Sequence, residues 1–163
     1  MLAYKELIMS SAPATELRSA NPQDAGMIRE LVRAAYVKWV AVLGREPMPM
    51  KADYERAVRE HQIDLLHIDG RMVGLVETML RPDHLWIENI AVRPDCQGQG
   101  LGQRLLAHAE RKATAAGHTE IRLLTSAAFG ANVALYSRLG YSVDRQEPFM
   151  GGTTVYMSKK LTQ

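Results

Sequence analysis

At 163 residues, with 47% hydrophobic and 23% charged content, the chain has the length of one compact domain with a full core and needs no second. Its 20 basic and 18 acidic residues give a formal net charge of +2 without a long block of like charge, which argues against a nucleic-acid or membrane-surface partner. One cysteine excludes an internal disulfide framework, no apolar run approaches the roughly 18 residues of a membrane span, and no basic-then-apolar leader opens the chain, so a cytoplasmic protein is expected.

Residues 1–14 show no clear period and end in the small-residue stretch SSAPA; they read as a loosely held extension before a single domain over residues 15–163. Glu16 to Ala20 is a short strand candidate. Asn21, Pro22 and Asp24 then give a cap, a proline at the first helical position and an acid in the first turn. Ile28, Leu31, Val32, Ala35, Trp39 and Val42 lay an apolar stripe, expected mostly in the core, along one helix that Gly44 ends. The segment GREPMPM, residues 44–50, holds two prolines and cannot continue that helix, while Ala52 to Glu60 forms a second. The period then changes to that of strands. Ile63, Leu65 and Leu66 lead to the hairpin signal Asp69-Gly70, Met72 to Leu80 returns, and a third strand runs from His84 to Val92. A glycine loop follows, then a helix from Gly100 to Ala116 stopped by Gly117, a strand from Ile121 to Thr125, and a short helix opened by Asn132. Strands from Tyr141 to Glu147 and from Thr153 to Lys160 close the chain, with no repeats.

The most informative stretch is WIENIAVRPDCQGQGLGQRLL, residues 86–106, in which a strand passes through three glycines straight into a helix. Such a loop cradles phosphates: glycine lets backbone N–H groups turn inward, and the helix N-terminus adds unpaired donors and the positive end of its dipole. The dinucleotide spacing G-x-G-x-x-G fails, since counting from Gly98 or Gly100 the last position is Gln103 or Leu105, and no Gly-Lys pair exists for a P-loop. What remains is Gln97-x-x-Gly100-x-Gly102. A second stretch, GANVALYSRLGY at 130–141, places Asn132 and Tyr136 one turn apart on a shared helix face, with Gly140 as the stop.

The first motif resembles the acyl-CoA pyrophosphate loop of the GNAT family of N-acetyltransferases, and the second is similar to that family's Asn/Tyr signature. The resemblance implies an α/β (α+β) fold: one GNAT-like domain with a central, mostly antiparallel mixed sheet, ordered strand, two helices, three strands, crossover helix, strand, helix, two strands. It implies an acetyl-CoA-dependent N-acetyltransferase, with a non-catalytic acyl-CoA-binding module as the alternative. On this resemblance Ile90, Ala91 and Val92 pair with pantetheine, Gln97, Gly98, Gln99, Gly100, Leu101 and Gly102 hold the pyrophosphate, and Asn132 contacts the pantetheine arm. Gln97 departs from the family's more frequent Arg, leaving Arg93, Arg104 or Arg138 to supply charge. No metal is expected.

Amide formation from a thioester needs a base for the amine and an acid for the departing thiolate. Tyr136 is the acid candidate, since a buried phenol stays neutral. The resemblance implies Glu88 as the base, at a place where family members often carry a carboxylate near the acceptor amine; alternation puts His84, Trp86, Glu88, Ile90 and Val92 on one face of the strand, which makes His84 the fallback. Cys96 lacks a fitting histidine and acid and is a bystander. The resemblance places the acceptor beside Tyr36, Trp39, the segment from Gly44 to Met50, with Met48 and Met50 as an adaptable apolar wall, and Tyr54. The expected acceptor is a small primary amine, with a protein N-terminus or lysine as the rival, and the family leaves room for a homodimer.

Overall fold

The computed structural model describes residues 13–162, so most of the expected N-terminal extension lies outside the described residues. Ala14 is anchored: its carbonyl accepts the Asp69 N–H at 2.8 Å, and its N–H donates to the Asp69 carboxylate at 2.9 Å. Strand β1 (Thr15–Ser19) is followed by a capped turn in which the Asn21 side chain accepts from Gln23 N–H and the Asp24 carboxylate accepts from Asn21 N–H. Helix α1 (Ala25–Tyr36) buries Ala25, Ile28, Leu31, Val32 and Ala35.

The expected stripe does not continue to Val42. At Tyr36 the helix tightens into a 3-10 turn (Val37–Trp39) before a last helical turn (Val40–Leu43) and left-handed Gly44. About three residues per turn instead of 3.6 rotates the stripe off the core. Val42 is left 56% exposed, and Trp39 stacks on Phe129 with ring centroids 4.2 Å apart. A further 3-10 turn (Met48–Lys51) begins in the proline-bearing segment and precedes α2 (Tyr54–Glu60), which is capped by Asp53.

The remaining elements are β2 (Gln62–Ile68), β3 (Arg71–Leu80), β4 (Leu85–Val92), α3 (Leu101–Ala115), β5 (Glu120–Ser126), α4 (Gly130–Arg138), β6 (Ser142–Phe149) and β7 (Gly152–Lys160). They form one seven-stranded sheet in the order β1-β2-β3-β4-β5-β7-β6, antiparallel throughout except between β4 and β5. The element order and mixed sheet match the expectation. Among the described residues, no helix is long and apolar enough to cross a membrane.

Each face of the sheet carries a core. On one, α1 and α2 pack Ile28, Leu31 and Tyr54 against Leu65, Leu75 and Ala91. On the other, Leu105, Leu106 and Ala109 of α3 meet Leu85, Ile87, Ile121 and Val155. Buried Asp64 joins β2 to α3, accepting from Lys112 Nζ at 2.7 Å and meeting His108 Nε2 at 3.0 Å. Burial alone would raise its carboxyl, but these bonds, with one from Gln62, hold it below the usual carboxylate range.

Strand β4 departs from simple alternation. Thr78 pairs with Ile87 and Glu77 with Asn89, so Glu88 is an extra residue, a β-bulge. The expected shared face from His84 to Val92 is therefore broken. Ile90 and Val92 pack with Leu85 and Ile87 on the α3 side, while Ala91 joins the α1 core. The parallel pairing of β4 with β5 ends at Ile87 opposite Leu123. Beyond the bulge the two strands diverge.

Candidate active site

Two cavities flank the divergence, one of about 420 Å³ on the glycine-loop side and one of about 360 Å³ beyond it. Tyr36, Ile90, Asn132 and Tyr136 line both, so they form the neck of a continuous cleft.

The first cavity is built by the chain leaving β4. A 3-10 turn (Pro94–Cys96) ends the strand extension, and Gly98 and Gly100 both take φ +78°, a conformation that favours glycine. Gly100 caps α3, and Gly102 in its first turn has open space where a Cβ would stand. Of the predicted cofactor residues, Ile90, Ala91, Val92, Gln97, Gly98, Gly100, Leu101, Gly102, Asn132 and Tyr136 line this cavity, and Gln99 stands outside it. A concave loop with positive-φ glycines at a helix N-terminus fits a pyrophosphate.

The charge expected from arginine is placed differently. Arg93 donates through Nε to the Met72 carbonyl, and Arg104 is exposed away from the cavity, whereas Arg138 lines it. Lys38, from the 3-10 turn after α1, also lines it and donates to Gln97 Oε1 at 2.8 Å. Gln97 in turn donates through Nε2 to the Val92 carbonyl at 3.1 Å. The sequence alone did not bring Lys38 to the loop, because the two are 59 positions apart.

Helix α4 begins at Gly130, two residues before the expected start, so Asn132 lies inside the helix and is not its cap. Its one-turn spacing from Tyr136 still directs both residues to the neck. The Tyr136 ring meets Tyr141 edge-on at 5.8 Å, and burial pushes its hydroxyl up to about 12. Tyr136 is thus a phenol held neutral beside the cleft.

Glu88, on the bulge, lines the second cavity, and Trp86 Nε1–H donates to its Oε2 at 2.8 Å. The fallback base His84 is elsewhere: its Nδ1 meets Asp83 Oδ1 at 2.7 Å, and it lines a separate depression with Arg122 and Tyr156. The alternation that grouped it with Ile90 does not survive the bulge.

The predicted acceptor wall divides. Met48 lines the second cavity, Tyr36 the neck and Trp39 the first cavity. Met50 and Tyr54 are core residues, 5% and 1% exposed, and are drawn away from the wall. Tyr54 donates to the Pro49 carbonyl at 2.7 Å and accepts from Asn89 Nδ2 at 3.4 Å. Tyr36 O–H reaches Asn89 Oδ1 at 2.7 Å and the Ile90 carbonyl at 3.3 Å, and burial pushes its pKa well above that of a free phenol, keeping it neutral.

Sequence reasoning missed Asn89 and, opposite it, Glu77, whose carboxyl burial raises against the pull of His61 at 2.8 Å. Their signal was polarity inside otherwise apolar strands. It also missed Phe129, just before α4, and Phe149, at the end of β6, which only the tertiary fold brings to the second cavity, whereas Arg45 lies in the segment 44–50 expected at the acceptor groove.

The model of the acetyltransferase (GNAT) family matches residues 27–141. The [ribosomal protein bS18]-alanine N-acetyltransferase of Escherichia coli (strain K12) is 36% identical over 74 residues, covering 45% of this chain and 50% of that protein. The chain thus spans about half the length of the curated relatives it matches. Among solved structures, the ribosomal-protein-S18-alanine N-acetyltransferase from Escherichia coli superposes with a TM-score of 0.72 at 22% identity, covering 92% of this chain and 96% of that one. The PaiA N-acetyltransferase from Thermoplasma acidophilum, in complex with coenzyme A, gives 0.78 at 17% identity, covering 90% and 99%. At these identities the structural likenesses speak for the fold.

Proposed function

The chain belongs to the acetyltransferase (GNAT) family, and from that premise we propose that it transfers the acetyl group of acetyl-CoA to the primary amine of a small molecule in the cytoplasm. The observation that carries this is the meeting of two cavities at Tyr136, where β4 leaves β5. One cavity offers a phosphate cradle and the other an acceptor space with a carboxylate at its wall.

The N–H groups from Gln97 to Gly102 and the α3 terminus would hold the pyrophosphate, with Lys38 and Arg138 supplying positive charge. The β4 edge beyond Ile87 has no β5 partner and is free to pair with pantetheine amides. Glu88, oriented by Trp86, takes the proton of the incoming amine, directly or through ordered water. The amine nitrogen forms its bond to the thioester carbon as the carbon–sulfur bond breaks. Tyr136 gives its hydroxyl proton or hydrogen bond to the departing sulfur.

The printed name of the Escherichia coli relative keeps a protein N-terminal alanine as the rival acceptor. Calorimetric titration with acetyl-CoA, CoA and NAD, followed by thiol release with an amine panel, tests the reading. Micromolar binding of acetyl-CoA, roughly −8 kcal/mol, with amine-dependent thiol release, supports it. Binding without release with any amine points to an acyl-CoA-binding module, and absence of binding overturns both.

A further inference from the structure

We propose that the acceptor carries a carboxylate as well as its amine, on a small apolar body, so that apolar amino acids are the substrate class. This rests on the acetyltransferase reading of the same cleft and adds what that reading leaves open.

Arg45 lines the second cavity. Its guanidinium lies 5.4 Å from the centroid of the Phe149 ring, Nη1 reaches only the Glu46 carbonyl at 3.3 Å, and the buried Nε–H has no acceptor among the described residues. Neighbouring arginines are treated otherwise: Arg33 holds Glu46 at 2.9 Å and Arg29 meets Glu55. A half-buried guanidinium, its Nε closed off from water and beside an aromatic ring, with one weak carbonyl partner among the described residues, lacks the anion its planar donors fit.

Among the residues lining the cavity, Arg45 and Glu88 alone are formally charged, one of each sign, on walls built from Val42, Met48, Leu124, Phe129 and Met150. An ammonium facing Glu88 and a carboxylate on Arg45 would leave neither charge unpaired, and the apolar walls would take the body between them. The volume of about 360 Å³ suits a small molecule. A protein N-terminus offers the amine but carries its carboxylate far away, and would leave Arg45 as it stands.

Thiol release by the full chain should be compared for L-phenylalanine and L-leucine, for phenethylamine and isoamylamine, which lack only the carboxylate, and for a short peptide beginning with alanine. The amino acids should exceed their decarboxylated counterparts in kcat/KM by at least about tenfold. Arg45→Gln should bring that ratio close to one, chiefly through KM, and Arg45→Lys should keep part of it, with acetyl-CoA titration reporting that each variant is folded. Equal or faster turnover of the decarboxylated amines or the peptide by the unaltered protein overturns the proposal, as does a ratio that survives Arg45→Gln. These results leave acetyl transfer intact. If acetyl-CoA is neither bound nor consumed, the underlying reading falls and the proposal falls with it.

Discussion

On the proposed reading, Tyr136 at the neck and Glu88 in the second cavity would divide the proton transfers between them, and their surroundings set which would do which. Burial pushes the Tyr136 hydroxyl up to about 12, so it stays protonated and able to donate through neutral and mildly alkaline pH. Tyr136→Phe should lower kcat by about a hundredfold while the KM for acetyl-CoA changes little, which steady-state kinetics with varied acetyl-CoA would measure. Glu88 is fixed by the Trp86 indole and stands on the bulge, the one place where β4 turns an extra residue toward the second cavity. Glu88→Gln should reduce kcat/KM for the amine with little change in acetyl-CoA binding, as steady-state kinetics with the best acceptor would record. The Tyr136 position was legible because an i, i+4 pair survives a two-residue error in the helix start. The fate of Met50 and Tyr54 was not, since an apolar side chain reads alike in a core and in a cavity wall.

At the scale of elements, the loop between β4 and α3 and the irregular end of α1 act together. Positive φ at Gly100 is what lets the chain turn from the strand into the helix with its N–H groups inward. Gly100→Ala should cost about 1 kcal/mol of stability and weaken acetyl-CoA binding by roughly tenfold, read by denaturant unfolding and calorimetry on the same variant. Lys38 reaches this loop only because α1 tightens after Tyr36. Lys38→Met should weaken acetyl-CoA binding about fivefold and flatten its salt dependence, measured between low and high ionic strength. Most elements were readable from caps, prolines and the change from helical to strand period. Three features were not: the 3-10 turn at Val37–Trp39, the bulge at Glu88, and the approach of the β6–β7 turn to the cavity. Each depends on pairing or packing between distant segments, which a single sequence carries no local mark of.

At the scale of the molecule, Asp64 holds the N-terminal strands to α3 through Lys112 and His108. Its carboxyl titrates below its ordinary 3.8 in the fold, so its contribution is present above that pH and lost as pH falls through the lower folded value. Asp64→Asn should lower stability by about 2 kcal/mol near neutrality, roughly 5 °C in Tm. The gap to the unaltered protein should close below pH 3.8, which thermal scans across acid pH would show. The divergence of β4 from β5 has a cost that lies outside the chemistry. Three residue pairs, Leu85 to Ile87 against Ile121 to Leu123, splice the first four strands to the last three. The room made for a thioester is therefore a seam through the middle of the sheet, and whatever occupies it touches both sides. The loaded protein should be the stiffer one, with its substrate serving as mortar for the fold before it is consumed by the site.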